Sequence, residues 1–290
     1  IGRERIGLCF VVFAAIGFGV SPAFAKLAYY GGCEPLTLVS ARFTICFVAL
    51  FLVARARGCA LRITGRLTIV PLVMGPLLTW NAAGYLSAVK EVEVGLAAAL
   101  FYTFPLQVAV FSWLLGFGGL NTRRIVALGL GFTGAVTVIS YGISGTNLYG
   151  IVLALLAGCG VALSSIYFSK VANPKNSISL MVSSMLVACT LSWCLTFAFD
   201  DFSLPQSGEG WTGFMVSSFG FSFALMAYYL ALPLVGAIRA AIVANMEPLV
   251  AVLIAALILN ERLEYVQLLG IFLIVTAVYM GGQNKPQAGA

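Results

Sequence analysis

The chain has 290 residues, 61% of them hydrophobic and only 9% charged, with a mean hydropathy of +1.03, whereas a soluble domain carries roughly 25% charged residues. Its formal charge is +6, yet the arginines are scattered along the chain instead of forming a basic stripe, which speaks against a nucleic-acid partner. No histidine occurs anywhere, which excludes His-dependent nucleophilic triads, imidazole metal sites and histidine proton relays at once.

A helix crosses a hydrocarbon core about 30 Å thick with roughly 20 largely apolar residues. Ten stretches meet that requirement, near 6–29, 35–56, 67–89, 94–117, 123–141, 148–171, 177–199, 211–233, 236–259 and 264–281. The connections are short and leave no soluble domain over. Backbone groups in lipid must be satisfied within the segment, and apolar runs without strict alternation achieve that as helices rather than as barrel strands. The expected fold class is an all-α membrane protein of ten transmembrane helices.

The first span, "RIGLCFVVFAAIGFGVSPAFA", has the basic start, apolar run and small-x-small end (Ala23, Ala25) of a cleavable signal. Its run is long for a signal and its pattern recurs later, so it reads as a retained helix, with Lys26 near its end. The second span carries Arg42. The third, "LLTWNAAGYLSAVK", brings Trp80, Asn81 and Tyr85; such rings and tips, flat and apolar with one polar end, suit a planar organic solute. Aromatic residues also form interfacial belts, but Trp80 and Asn81 are too central for one, while Trp113, Trp193 and Trp211 lie nearer span ends. The fourth span holds "FYTFP", with Tyr102 and Pro105, and the eighth "FALMAYYLALP", with Tyr228 and Tyr229.

The ninth span carries Arg239 and then "VANMEP", which contains Asn245, Glu247 and Pro248. A charge at mid-span costs about 3 kcal/mol on an insertion scale, so Glu247 needs a reason to be there. Three roles stay open for it: an acid that binds a substrate amine, a proton carrier, or a structural partner for a basic residue. Lys26, Arg42 and Arg239, the basic residues inside spans, are the candidate partners. The seven cysteines sit mostly inside spans without metal-ligand spacing and read as small apolar packing residues; no metal or cofactor is expected.

Sliding the second half of the chain over the first uncovers an internal repeat. At an offset of 144, Ser21, Phe24, Lys26, Leu36 and Ser40 fall on Ser165, Phe168, Lys170, Leu180 and Ser184. At 143, Tyr85, Ala88, Ala97, Ala98, Pro105 and Leu106 fall on Tyr228, Ala231, Ala240, Ala241, Pro248 and Leu249, and after a two-residue gap Gly129 meets Gly270. Two halves are expected, residues 1–144 and 145–290, of five helices each. Because five is odd, the second copy enters the membrane inverted, a plan of secondary transporters in which the substrate site lies centrally between the halves. The matched prolines Pro105 and Pro248 interrupt corresponding helices and would shape the gates. The expected binding set around a central cavity is Trp80, Asn81, Tyr85, Tyr102, Tyr228, Asn245 and Glu247.

With the N-terminus in the cytoplasm, 11 basic residues fall on inner segments and 2, Lys90 and Arg262, on outer ends. Cytoplasmic segments collect Lys and Arg, so both termini are expected inside.

The ten spans in two halves, the Pro-Leu pairs at 105–106 and 248–249, and "LILNERLEYVQLLGIFLIVTAVYM" from Leu257 to Met280 resemble the drug/metabolite transporter superfamily, in particular its EamA-domain members. In that pattern the ninth helix ends in a Glu, here Glu261, followed by a Gln-x-x-Gly start to the last helix, here Gln267 to Gly270. The first half departs from it, with Gly118 at the position matching Glu261. Members export amino acids, other metabolites and drugs, and the chain is most similar to bacterial aromatic amino acid exporters of the YddG type. Organellar relatives exchange phosphorylated sugars, which would require clustered Lys or Arg that "FYTFP" and "VANMEP" do not supply. The resemblance implies an inner-membrane exporter of aromatic or hydrophobic amino acids, working by alternating access in the lipid bilayer, for which a monomer is sufficient. The alternatives are a multidrug or other small-metabolite exporter of the same superfamily and, more remotely, an intramembrane enzyme.

Overall fold

Helix boundaries follow the chemistry of the segment ends. The second helix begins at Pro35, whose missing N–H is harmless in a first turn. The sixth begins where the Asn147 side chain accepts the Tyr149 N–H at 3.0 Å, and the eighth where Ser207 accepts from Gly210 at 3.1 Å. Gly236, at φ 77°, turns the eighth helix into the ninth through a single residue, a left-handed conformation that L side chains rarely adopt.

The computed structural model describes residues 2–59, 65–91, 100–117, 122–139, 147–250 and 265–282. Among them the chain is helical, with ten α-helices: α1 (Gly2–Tyr30), α2 (Pro35–Ala56), α3 (Ile69–Glu91), α4 (Phe104–Leu114), α5 (Thr122–Ile139), α6 (Leu148–Val171), α7 (Ser177–Ala198), α8 (Gly208–Val235), α9 (Ala237–Ala244) and α10 (Tyr265–Gly282). Five of these, α1, α2, α6, α7 and α8, are long and apolar enough to cross a bilayer. The protein is a multi-pass membrane protein.

Neighbours in the bundle are α1 with α8, α3 with α6, α2 with α7 and α5 with α10, supported by α2 with α8, α3 with α7, α4 with α6 and α1 with α9. Exchanging every helix for the one five places along returns the same set of pairs. Where α1 meets α8 the backbones come very close: a Cβ on Gly213 would stand 2.5 Å from the Phe24 carbonyl oxygen. Between them Ser217 Oγ donates to the Ser21 carbonyl at 2.9 Å. Small residues allow such packing where lipid supplies no hydrophobic drive between helices.

Candidate functional site

Two local breaks in helical geometry organise the centre. At Tyr102–Thr103 the chain turns before α4, and Thr103 N–H bonds Leu100 O at 3.1 Å, a three-residue step; at Asn245 the same step recurs, Asn245 N–H to Ile242 O at 3.3 Å. Pro105 follows Thr103 by two residues and Pro248 follows Asn245 by three. They stand in the first turn of the helical segment that resumes after each interruption. Each proline lacks the N–H that would serve the carbonyl four residues earlier, on Phe101 and Ala244. Phe101 and Ala244 both line one cavity.

That cavity encloses about 260 Å³. Helix α1 contributes Phe18, Ser21, Ala25 and Tyr29 from its second half, and α2 contributes Val39 and Arg42 from its first. The space therefore lies toward the end of the bundle where α1 hands over to α2. Its walls are aromatic on two sides. On one, Phe18 meets Phe221 at 5.3 Å between centroids and Tyr228 at 6.4 Å; on the other, Tyr85 meets Phe101 at 4.8 Å and Phe101 meets Tyr102 at 5.9 Å. Hydroxyl pairs to α6 hold the rings, Tyr228 with Ser165 at 3.2 Å and Tyr229 with Ser164 at 2.7 Å.

Polar groups enter this apolar space at few points, the usual design of a small-molecule pocket. Glu247 lies in the wall just past the second break, within hydrogen-bonding reach of the Tyr102 hydroxyl. Arg42 lies in the wall on α2, and Tyr85 stands within electrostatic range of both charges. Asn81 adds an amide. At the opposite end of the bundle the described residues are closely packed. A Cβ on Gly7 would stand 2.7 Å from Val235, α9 is buried apart from Ile238, and Arg239 pairs with Glu4 between the starts of α9 and α1.

Of the residues expected to bind, Asn81, Tyr85, Tyr102, Tyr228 and Glu247 line the cavity. Trp80 does not: it is 48% exposed on the outer side of α3, and its indole N–H donates to Leu156 O at 3.3 Å. One residue along a helix turns a side chain by about 100°, so Asn81 and Tyr85 can face inward while Trp80 faces away. Asn245 is fully buried behind the cavity, its amide against Gly131 of α5. Arg239 is engaged with Glu4. Lys26 lies in α1 with its side chain outside the described residues, as are the Gln267 side chain, Gly118 and Glu261. Sequence reasoning missed Phe18, Tyr29, Phe101 and Phe221 as lining, because nothing in an apolar helix marks one ring from another.

The sequence model of the EamA-like transporter family matches residues 5–140 and, a second time, residues 148–281. The chain belongs to the EamA-like transporter family. This EamA-like transporter is 26% identical to the uncharacterized transporter YvbV of Bacillus subtilis (strain 168), over 97% of its own length and 93% of the relative's. It is 26% identical to the uncharacterized inner membrane transporter YedA of Escherichia coli (strain K12), over 85% and 81%. An uncharacterized transporter of Archaeoglobus fulgidus is 28% identical over 94% and 95%. A solved crystal structure shares the fold at a TM-score of 0.80 and 18% identity, covering 97% of this chain and 98% of the other. The protein is a membrane transporter.

Proposed function

We propose that this EamA-like transporter exports aromatic and other hydrophobic amino acids across the bacterial inner membrane by alternating access. The observation that carries the reading is the aromatic cavity built where both halves break their helices, with Glu247 in its wall. The transport unit is two five-helix repeats, residues 1–144 and 145–290, of inverted topology, with both termini cytoplasmic. The set of helix contacts that survives exchange of the halves, and the family match that occurs twice, support that plan.

A volume of about 260 Å³ is below the roughly 300–1,000 Å³ of drug-sized pockets and favours a solute of amino-acid size over a multidrug range. Burying one aromatic side chain between the two ring clusters contributes roughly 1.5–3 kcal/mol. Glu247, deep in the wall, supplies the negative pole for a substrate ammonium. Arg42 is the one basic side chain among the described wall residues, too little positive charge for a phosphorylated solute.

Uptake of labelled phenylalanine and tryptophan into proteoliposomes, against protein-free vesicles and with or without a pH gradient, tests the reading. Saturable uptake that unlabelled tryptophan competes away is the expected result. Absence of uptake from demonstrably folded protein, or competition by organic cations and not by zwitterionic phenylalanine, refutes the substrate and leaves the transporter fold standing.

A further inference from the structure

An arginine buried in a membrane bundle is ordinarily held by a carboxylate, because an uncompensated charge away from water costs several kcal/mol even after relaxation. Arg42 is only 8% exposed and has no such partner among the described residues. One of its terminal nitrogens donates to Ser217 Oγ, its Nε finds no acceptor, and the guanidinium lies 4.8 Å above the Phe221 ring. The titratable groups that act on it, Tyr29, Cys33 and Tyr85, are not carboxylates. The nearby acid Asp201 spends a carboxylate oxygen on the Leu36 N–H at 3.0 Å, tying down the start of α2.

Arg42 is also held ready. Its own carbonyl accepts the Ser222 hydroxyl at 2.6 Å, and Ser217, which takes the guanidinium, is itself fixed to Ser21. A guanidinium carries five N–H donors in a planar fork, and one bond to Ser217 with Phe221 beneath leaves further donors on a residue that lines the cavity. The scaffold does not demand a charge here. At the repeat offset of 144 the counterpart of Arg42 is Leu186, and at 143 the counterpart of Glu247 is Phe104.

Resting on the reading of the cavity as an amino acid site, we propose that Arg42 is the anion pole of that site, the residue that binds the substrate's carboxylate through its guanidinium fork. Opposed poles, Arg42 for carboxylate and Glu247 for ammonium, with rings between them, select a zwitterionic aromatic amino acid over either the bare amine or the bare acid. Arginine–carboxylate pairs of this kind are bidentate and orienting.

Three probes read the assignment on purified protein: L-phenylalanine, 3-phenylpropionate, which lacks the ammonium, and phenethylamine, which lacks the carboxylate. Arg42→Gln is expected to weaken phenylalanine and 3-phenylpropionate by about tenfold or more, the loss typical of a hydrogen bond to a charged group. Phenethylamine should hold within about threefold of wild type, because its binding does not use a carboxylate contact. Arg42→Lys, keeping charge without the fork, should fall between. Unchanged 3-phenylpropionate binding in Arg42→Gln, or equal weakening of all three probes, overturns the assignment. If wild type binds none of the three, the aromatic reading falls by itself, and acetate and isovalerate then decide Arg42. Binding of either by wild type and not by Arg42→Gln upholds the anion pole; binding of neither removes it.

Discussion

Replacing Glu247 by Gln separates the three roles open to this acid. Glutamine matches its shape and leaves the Tyr102 hydroxyl a partner, so the wall keeps its form while the negative charge goes. A hydrogen bond to a charged group contributes about 1.5–3 kcal/mol and a neutral one about 1, so the variant should lose roughly 0.5–2 kcal/mol toward a substrate ammonium. At 1.4 kcal/mol per decade that is about a 2- to 30-fold weakening for phenylalanine. 3-Phenylpropionate, with no ammonium, should be unaffected or bind better. The assay is direct binding plus proteoliposome uptake between pH 5 and 8. A proton carrier predicts more: uptake that responds to a pH gradient in wild type and ceases to respond in Glu247→Gln. The folded state should survive, because removing a buried charge relieves desolvation instead of adding it. A folded variant with wild-type affinity for phenylalanine and unaltered uptake across pH would falsify both functional roles and leave Glu247 as scaffold.

Other perturbations follow from the packing. Gly213→Ala sets a methyl 2.5 Å from the Phe24 carbonyl and should force α1 from α8, lowering stability by about 1–3 kcal/mol. Gly208→Ala, with nothing within 4 Å of the added methyl, should melt close to wild type, and equal melting of the two variants would refute the close approach. Glu4→Gln dissolves the pair with Arg239 at the closely packed end of the bundle and should raise thiol labelling of an added Ala241→Cys, which is fully buried now; unchanged labelling means the pair does not hold that end together. Trp80→Phe should bind phenylalanine within about threefold of wild type, as it does not touch the cavity, whereas Phe101→Ala removes a wall ring and should weaken it by roughly tenfold or more. The opposite ranking would return Trp80 to the site.

What could be read from the sequence was set by what lipid demands. Long apolar runs can only become helices in a bilayer, so the helical fold and the membrane were legible at once. Glu247 and Arg42 stood out because charge in a span has to be accounted for. The direction in which a side chain points was not legible. A membrane helix is apolar toward lipid and toward protein alike, so no stripe separates its faces, and neither the depth of Trp80 nor its ring with one polar tip tells which way it points. For the same reason Phe18 and Phe101 carried no mark that distinguished them from Phe13, which is 54% exposed. Asn245 shares the position of Tyr102 in the repeat, yet the second break turns its amide toward Gly131 while Tyr102 faces Glu247.

The contrast between repeated and unrepeated residues ties the site to its proposed function. Residues that recur between the halves, such as Ser21 and Ser165, Tyr85 and Tyr228, and Pro105 and Pro248, build the helix contacts, the ring clusters and the breaks. A pair of halves that can exchange shapes needs those features twice, because each half must in turn take the other's geometry. A substrate does not have that symmetry. A solute with an acid at one end and an amine at the other must be met by different groups in the two directions, and those groups have no reason to recur. Arg42 opposite Leu186 and Glu247 opposite Phe104 have that character, each a charge in one half and an apolar residue in the other. On the function proposed above, the symmetric parts would move this transporter and the two asymmetric charges would select what it holds.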